Sequence, residues 1–350
     1  MKALVLHEPG SCSIETVADP TVRPGEALLR VRRVGLCGSD LNSFRGRNPL
    51  VSFPRVPGHE VAATIVSLES VTGHAGGLSE GMDVTLSPYS HCGDCSACLR
   101  ARFNACERNQ TLGVQRDGAL CEYLAVPAEK LYPAALGLKE LCLVEPLTVG
   151  FHAVARGRVE ATDTVAIFGC GGVGLGAIAA AAYRGARTIA IDIDDAKLAT
   201  ARLAGAGHTV HSRREDLGKT LGELTEGRGP DVVIEAIGTP ETFRAAVERV
   251  GYTGRVVYIG YAREPVAYET KLFVQKELDI LGARNALPED FRAVIGMLEA
   301  GRFPVESAVS AVVPLGEAPA ILSAWSAEPG QFTKIMITLD QLQERSNRHP

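Results

Sequence analysis

The sequence has no strong excess of charge of either sign: 36 Lys and Arg stand against 41 Asp and Glu, a formal net charge of -5 over 350 residues. That balance creates no field to draw the chain onto phosphate backbones or anionic lipid, so neither nucleic acid nor membrane is expected as a partner. An export signal is lacking too. Met1 to Leu6 is a short apolar run with one Lys, and His7, Glu8 and Pro9 interrupt it before a signal-peptide core can form. A cytoplasmic protein is expected. One charge-free stretch, Thr164 to Tyr183, approaches the roughly 20 residues needed to span a bilayer. Gly169, Gly171, Gly172, Gly174 and Gly176 lie within it, however, and mark a buried strand, a tight turn and a small-residue helix.

What is present is ordinary globular composition, 46% hydrophobic and 22% charged. The length exceeds one ordinary core of roughly 100 to 200 residues, so two domains and a cleft between them are expected. Only the polar tail from Gln341 to Pro350 is expected to be loose.

Nine cysteines without an export signal point to reduced thiols and hence to metal or redox chemistry. Cys92, Cys95 and Cys98 form C-x2-C-x2-C, and Cys106 follows after seven residues, so one loop can wrap four thiolates around a tetrahedral zinc. Such a site has no open position; it braces a loop and leaves chemistry to another place. An iron-sulfur cluster also uses four thiolates, but this spacing differs from the common ferredoxin runs. Three further segments offer ligands of a different kind: Cys37 in Gly35-Leu36-Cys37-Gly38-Ser39-Asp40, His59-Glu60 after Pro57-Gly58, and Glu145 in Val144-Glu145-Pro146-Leu147. Each alone has a bland reading, as a small buried thiol, a core histidine or a turn residue. Together they offer the soft, borderline and hard donors from which an open catalytic zinc site can be made.

The run Thr164 to Phe168 reads as a buried parallel strand and leads into Gly169-Cys170-Gly171-Gly172-Val173-Gly174, a G-x-G-x-x-G turn. The first glycine permits the turn, the second lets the backbone approach a pyrophosphate, and the third permits close helix packing. A second strand, Thr188 to Ile191, ends at Asp192, where a carboxylate can accept from ribose hydroxyls and repel a 2′-phosphate, favouring NAD over NADP. Asp231 to Ala236, Arg255 to Gly260 and Leu278 to Ala283 read as further strands of one six-stranded sheet, with Thr239 to Val250 as an intervening helix. Upstream of about Phe151 the texture is short β-rich runs and Gly and Pro turns with no long helical period.

With these motifs in order, the chain resembles the zinc-containing medium-chain alcohol dehydrogenases over essentially its whole length, most closely the sorbitol and L-galactonate 5-dehydrogenase branch. The resemblance implies an α/β fold with a GroES-like, β-rich catalytic domain over residues 1–150 and 285–350 and a Rossmann doubly wound NAD-binding domain over 151–284. It implies a catalytic zinc on Cys37, His59 and Glu60, with Glu145 binding zinc or its water, and a structural zinc on Cys92, Cys95, Cys98 and Cys106. The cofactors implied are two zinc ions per chain and NAD, bound by Gly169, Gly171, Gly172, Val173 and Gly174, with Asp192 and Lys197 on the ribose. Arg284, in Gly282-Ala283-Arg284-Asn285, is placed near the nicotinamide to hold a substrate hydroxyl or carboxylate, with Asn285 beside it. The implied reaction is hydride transfer between NAD and a polyol or sugar acid, with Ser39 carrying the hydroxyl proton. Many relatives have a relay histidine five residues beyond the first zinc cysteine; Asn42 stands there in this chain. Homodimers or homotetramers are implied. A threonine-type amino-alcohol dehydrogenase and a catalytically silent nucleotide-binding sensor are the alternatives.

Overall fold

The computed structural model describes residues 1–69 and 77–340 and divides into two compact units, Met1–Glu145 with Val309–Pro350, and Pro146–Ala308. The polar tail from Gln341 lies outside the described residues.

The first unit is built on a seven-stranded sheet whose longest strand, Glu26–Leu36, pairs antiparallel with Glu60–Leu68, Tyr123–Pro127 and Ile335–Thr338. Leu29, Val31, Val34 and Leu36 of that strand are buried against Val61, Ala63, Ile65 and Leu120. Its far end delivers Cys37, and the neighbouring strand begins at Glu60, so sheet register alone brings the two motifs side by side: Gly35 pairs with Glu60.

The second unit holds six parallel strands in the spatial order His208–His211, Arg187–Asp192, Thr164–Phe168, Val232–Glu235, Arg255–Tyr258, Asp279–Gly282. The chain starts in the middle, runs to one edge, then crosses to the other side. Such doubly wound sheets bind ligands at the carboxyl ends of the strands where the order reverses, here between Thr164–Phe168 and Val232–Glu235. Gly169 begins the turn at that point. All five expected strands and the helix Pro240–Arg249 lie within a residue or two of the expected limits. The edge strand His208–His211 was not expected, because four residues with two histidines carry little strand signal.

The domain limits differ from the expectation at both joints. Residues 146–150 lie in the second unit, where a Cβ on Gly150 would stand 2.1 Å from Ala177 N of the helix Gly172–Tyr183. The segment 285–308 also belongs there. Its helix Pro288–Glu299 buries Phe291, Val294 and Met297, and Asp290 accepts a hydrogen bond from His152 Nδ1 at 2.9 Å. Glu145-Pro146 is not a turn but lies within the helix Leu138–Arg156, which starts well before Phe151. Among the described residues no helix is long and apolar enough to cross a membrane.

Candidate active site

Cys37 is the N-cap of the short helix Gly38–Phe44, and Asp40 in the first turn holds two approaches to the site at once. Its Oδ2 accepts from Cys37 N at 2.8 Å and its Oδ1 from Gly58 N at 3.1 Å. One buried carboxylate thus ties the cysteine turn to the turn that precedes His59. Gly58 has φ +96°, a left-handed conformation, and a Cβ there would meet Val34 at 2.8 Å.

The donor atoms of Cys37, His59 and Glu60 all lie within 4.8 Å of one another. His59 and Glu60 are buried, and His59 Nδ1 has no hydrogen-bond partner among the described residues; it stands 3.9 Å from Asp40 Oδ1. Its Nε2 lies 3.5 Å from Ser39 Oγ. Burial works against a charge on this imidazole, yet Asp40, Cys37 and Glu145 around it hold its pKa well above the usual histidine value. Glu60 fits its place because Gly35 has no side chain: a Cβ there would stand 2.0 Å from Glu60 Oε2. A half-buried thiol, a buried imidazole and a buried carboxylate converging on one point form a donor set that suits zinc.

Glu145 falls outside that tight group. It is buried, its pKa is raised by burial against the pull of His59, and its Oε1 accepts from the hydroxyl of Tyr89. Burial and Glu145 together hold the Tyr89 phenol well above its ordinary pKa, so the phenol keeps its proton and donates. Lys334 Nζ donates to both oxygens of Glu60. Sequence reasoning missed Asp40, Tyr89 and Lys334 as partners of the site. Asp40 alone left a trace, as the last residue of the cysteine motif.

The four lobe cysteines also converge, with their donor sulfurs within 4.8 Å of one another. Cys92 and Cys106 are 3.5 Å apart, Cys92 and Cys98 3.9 Å, and Cys95 and Cys106 3.9 Å, and none forms a disulfide. A zinc at about 2.3 Å from each sulfur makes a tetrahedron with edges of about 3.8 Å, so these distances suit one ion.

In the second unit Gly169 has φ +99°, and a Cβ on Gly174 would stand 1.8 Å from Gly169 O. A Cβ on Gly171 would meet nothing within 4 Å, which leaves an open approach to the backbone at the N-terminus of the helix Gly172–Tyr183. Asp192 ends its strand here. Its Oδ2 accepts from Cys170 N at 2.7 Å and its Oδ1 from Ile193 N at 2.7 Å, so the acid also fixes the glycine turn. Lys197 follows on the helix Asp195–Leu203. Arg284 is exposed just beyond the strand Asp279–Gly282, and Asn285 takes φ +52°.

A doubly wound sheet with a glycine turn and an acid at the second strand, together with a convergent Cys-His-Glu cluster and a four-cysteine lobe, defines the class of zinc-type dehydrogenases. Residues 23–136 match the alcohol dehydrogenase GroES-like domain, and residues 172–300 match the zinc-binding dehydrogenase domain. The chain is 33% identical over 337 residues to a zinc-type alcohol dehydrogenase-like protein of Haemophilus influenzae, covering 96% of this chain and 98% of that one. It is 31% identical to the L-galactonate-5-dehydrogenase of Escherichia coli, over 87% and 89% of the two chains. Its fold is similar to that of an alcohol dehydrogenase, RspB, of E. coli solved with NADH, at a TM-score of 0.88 and 27% identity over 97% and 99% of the chains. The chain belongs to the zinc-containing alcohol dehydrogenase family, near its sugar and polyol branch.

Proposed function

We propose that this protein is a zinc-dependent, NAD-linked dehydrogenase that interconverts a secondary alcohol and its ketone, with a polyol or an L-galactonate-like sugar acid as substrate. The observation that carries this reading is the convergence of Cys37 with the buried His59 and Glu60, with the buried Glu145 beside them. These residues would hold a catalytic zinc, with Glu145 as ligand or outer carboxylate. Cys92, Cys95, Cys98 and Cys106 would hold a second, structural ion. When bound, zinc supplies a Lewis acid that lowers the pKa of the substrate hydroxyl, and the nicotinamide accepts the hydride.

The chain's own residues supply placement and proton movement. Asp40 fixes the Cys37 and Gly58 turns, and Lys334 holds the Glu60 carboxylate in place. Ser39, whose Oγ lies 3.5 Å from His59 Nε2, takes the substrate proton and passes it outward. Glu145 is the second acceptor for that proton, since Asn42 offers no imidazole. In the second unit the backbone of Gly169, Gly171, Gly172, Val173 and Gly174 cradles the pyrophosphate. Asp192 Oδ2, which accepts one amide, keeps a lone pair for a ribose hydroxyl, and Lys197 assists it. The same carboxylate favours NAD over NADP. Arg284 pairs with a substrate carboxylate or hydroxyl, and Asn285 lies next to it.

Similarity to an L-galactonate-5-dehydrogenase supports the sugar-acid class. The edge strand Asp279–Gly282, with Ile280 exposed and Val274 exposed just before it, supports a homodimer or homotetramer. The reading is tested by following reduction of NAD and NADP with polyols, sugar acids, L-threonine and simple alcohols. Selective turnover of a polyol or sugar acid with NAD is expected; preference for L-threonine would move the protein to the amino-alcohol branch. No turnover with any of them, by protein loaded with zinc and NAD, would leave a nucleotide-binding sensor.

A further inference from the structure

Between the four-cysteine lobe and Glu145 stands a side chain that neither metal cluster uses. Tyr89 is 7% exposed, and its hydroxyl donates to Glu145 Oε1 within the first unit. It lies in the neck of the lobe, just ahead of Cys92. That neck is a short antiparallel pairing: Tyr89 bridges Thr111, Leu112 N donates to Pro88 O at 3.1 Å, and Ser90 N donates to Gln110 O at 3.2 Å. Gln110 N in turn donates to Ser90 Oγ at 2.8 Å. The outgoing stem begins at Cys106, whose carbonyl accepts from Asn109 N at 3.3 Å. Both stems therefore leave ligand cysteines almost directly. Drawing four sulfurs onto one ion fixes the spacing of the stems and with it the place of the Tyr89 ring.

The two buried acids of the site have unlike partners. Glu60 is matched by the cation of Lys334, whereas Glu145 accepts from a neutral phenol. A neutral donor orients a carboxylate without cancelling its charge. The same outgoing stem continues to Gly113 and Gly118, which pack on the turn before His59. Cβ atoms there would stand 2.5 Å from Gly58 N and 2.3 Å from Gly58 O.

We propose that Tyr89 is the positioning residue for Glu145: its hydroxyl holds that carboxylate in one orientation beside Cys37, His59 and Glu60, and the lobe, closed on its metal, sets where the hydroxyl stands. The inference rests on the zinc dehydrogenase reading above. It makes the structural centre a determinant of the catalytic one. Partners of this kind change metal affinity or activity by about 10- to 100-fold when removed.

The test uses the full chain with cobalt(II) at the catalytic position, whose absorption bands report ligand geometry, and compares wild type with Tyr89→Phe, which removes only the hydroxyl. The expected result is a shifted cobalt spectrum and a kcat lowered about tenfold or more, with KM and thermal midpoint nearly unchanged. On a Glu145→Gln background, Tyr89→Phe should add little further loss. Ser90→Ala, which loosens the neck without touching Glu145, should shift the same bands by a smaller amount. An unchanged spectrum and kcat in Tyr89→Phe would overturn the proposal, as would losses that simply multiply in the double variant or an unmoved spectrum in Ser90→Ala. Wild-type protein showing no cobalt-thiolate band from Cys37 would overturn the function proposed above together with this inference, and that outcome is visible before any variant is made.

Discussion

Lys334 Nζ lies 2.6 Å and 2.7 Å from the two carboxylate oxygens of Glu60, joining residues 274 positions apart in a pair shielded from solvent. Neither charge could be buried alone without a penalty of several kcal/mol. Lys334→Met should therefore destabilise the fold by about 3–5 kcal/mol in urea unfolding, and adding Glu60→Gln should recover most of that loss. The pH dependence has a definite sign. Burial lowers the Lys334 pKa, but Glu60 and Cys37 outweigh it and the net shift is upward. A raised folded pKa means the contribution is complete below the unfolded lysine value of about 10.4 and is lost only as pH rises through the folded value. The gap between wild type and Lys334→Met should thus be flat from neutral pH to about 10 and shrink above it.

Gly35 gives Glu60 the space it occupies. Gly35→Ala would put a methyl 2.0 Å from Glu60 Oε2, forcing the carboxylate out of the Cys37-His59 cluster. Elemental analysis should find the catalytic zinc lost and the lobe zinc kept, halving the metal content. Full retention of both ions would show that Glu60 is dispensable for metal binding.

Two glycines of the nucleotide turn should behave differently. Gly174→Ala meets Gly169 O at 1.8 Å, so the turn must open, with loss of both stability and NAD affinity. Gly171→Ala meets no atom within 4 Å. Its stability should stay within about 1 kcal/mol of wild type, while NAD affinity falls about tenfold or more because the methyl stands in the open approach. Calorimetric titration and thermal unfolding of both variants separate the two effects.

Asp192 has a structural role and, on the function proposed, a selective one. Asp192→Ala removes the acceptor for Cys170, Ile193 and Asp194 amides and should cost about 1–3 kcal/mol of stability. It also removes the charge set against a 2′-phosphate. The ratio of kcat/KM for NADP over NAD should rise about tenfold or more, and an unchanged ratio would move cofactor selection to another residue.

Much of this was readable in the residues, for identifiable reasons. Motifs confined to one turn or loop, such as the glycine turn and the Cys92–Cys106 lobe, carry their geometry in their spacing. Long apolar strands such as Thr164–Phe168 declare themselves by composition, whereas His208–His211 is held in place by its neighbour Arg187–Asp192 and shows no such pattern. Side-chain pairs between distant segments were invisible: Lys334 with Glu60, and Tyr89 with Glu145, have no period or spacing to reveal them. The joint at Ala308 was missed because the helix Pro288–Glu299 has the same amphipathic texture whichever unit buries it. The hydrogen bond between Asp290 and His152 ties it to the second unit.

The central claim, that Cys37, His59 and Glu60 hold a zinc on which NAD-linked alcohol oxidation depends, is tested most directly by stripping and restoring the metal. Protein freed of zinc by a chelator should reduce no NAD with its best polyol or sugar acid, and stoichiometric zinc should restore the rate in wild type but not in His59→Ala. Undiminished turnover by the metal-free protein, or full restoration in His59→Ala, would contradict it.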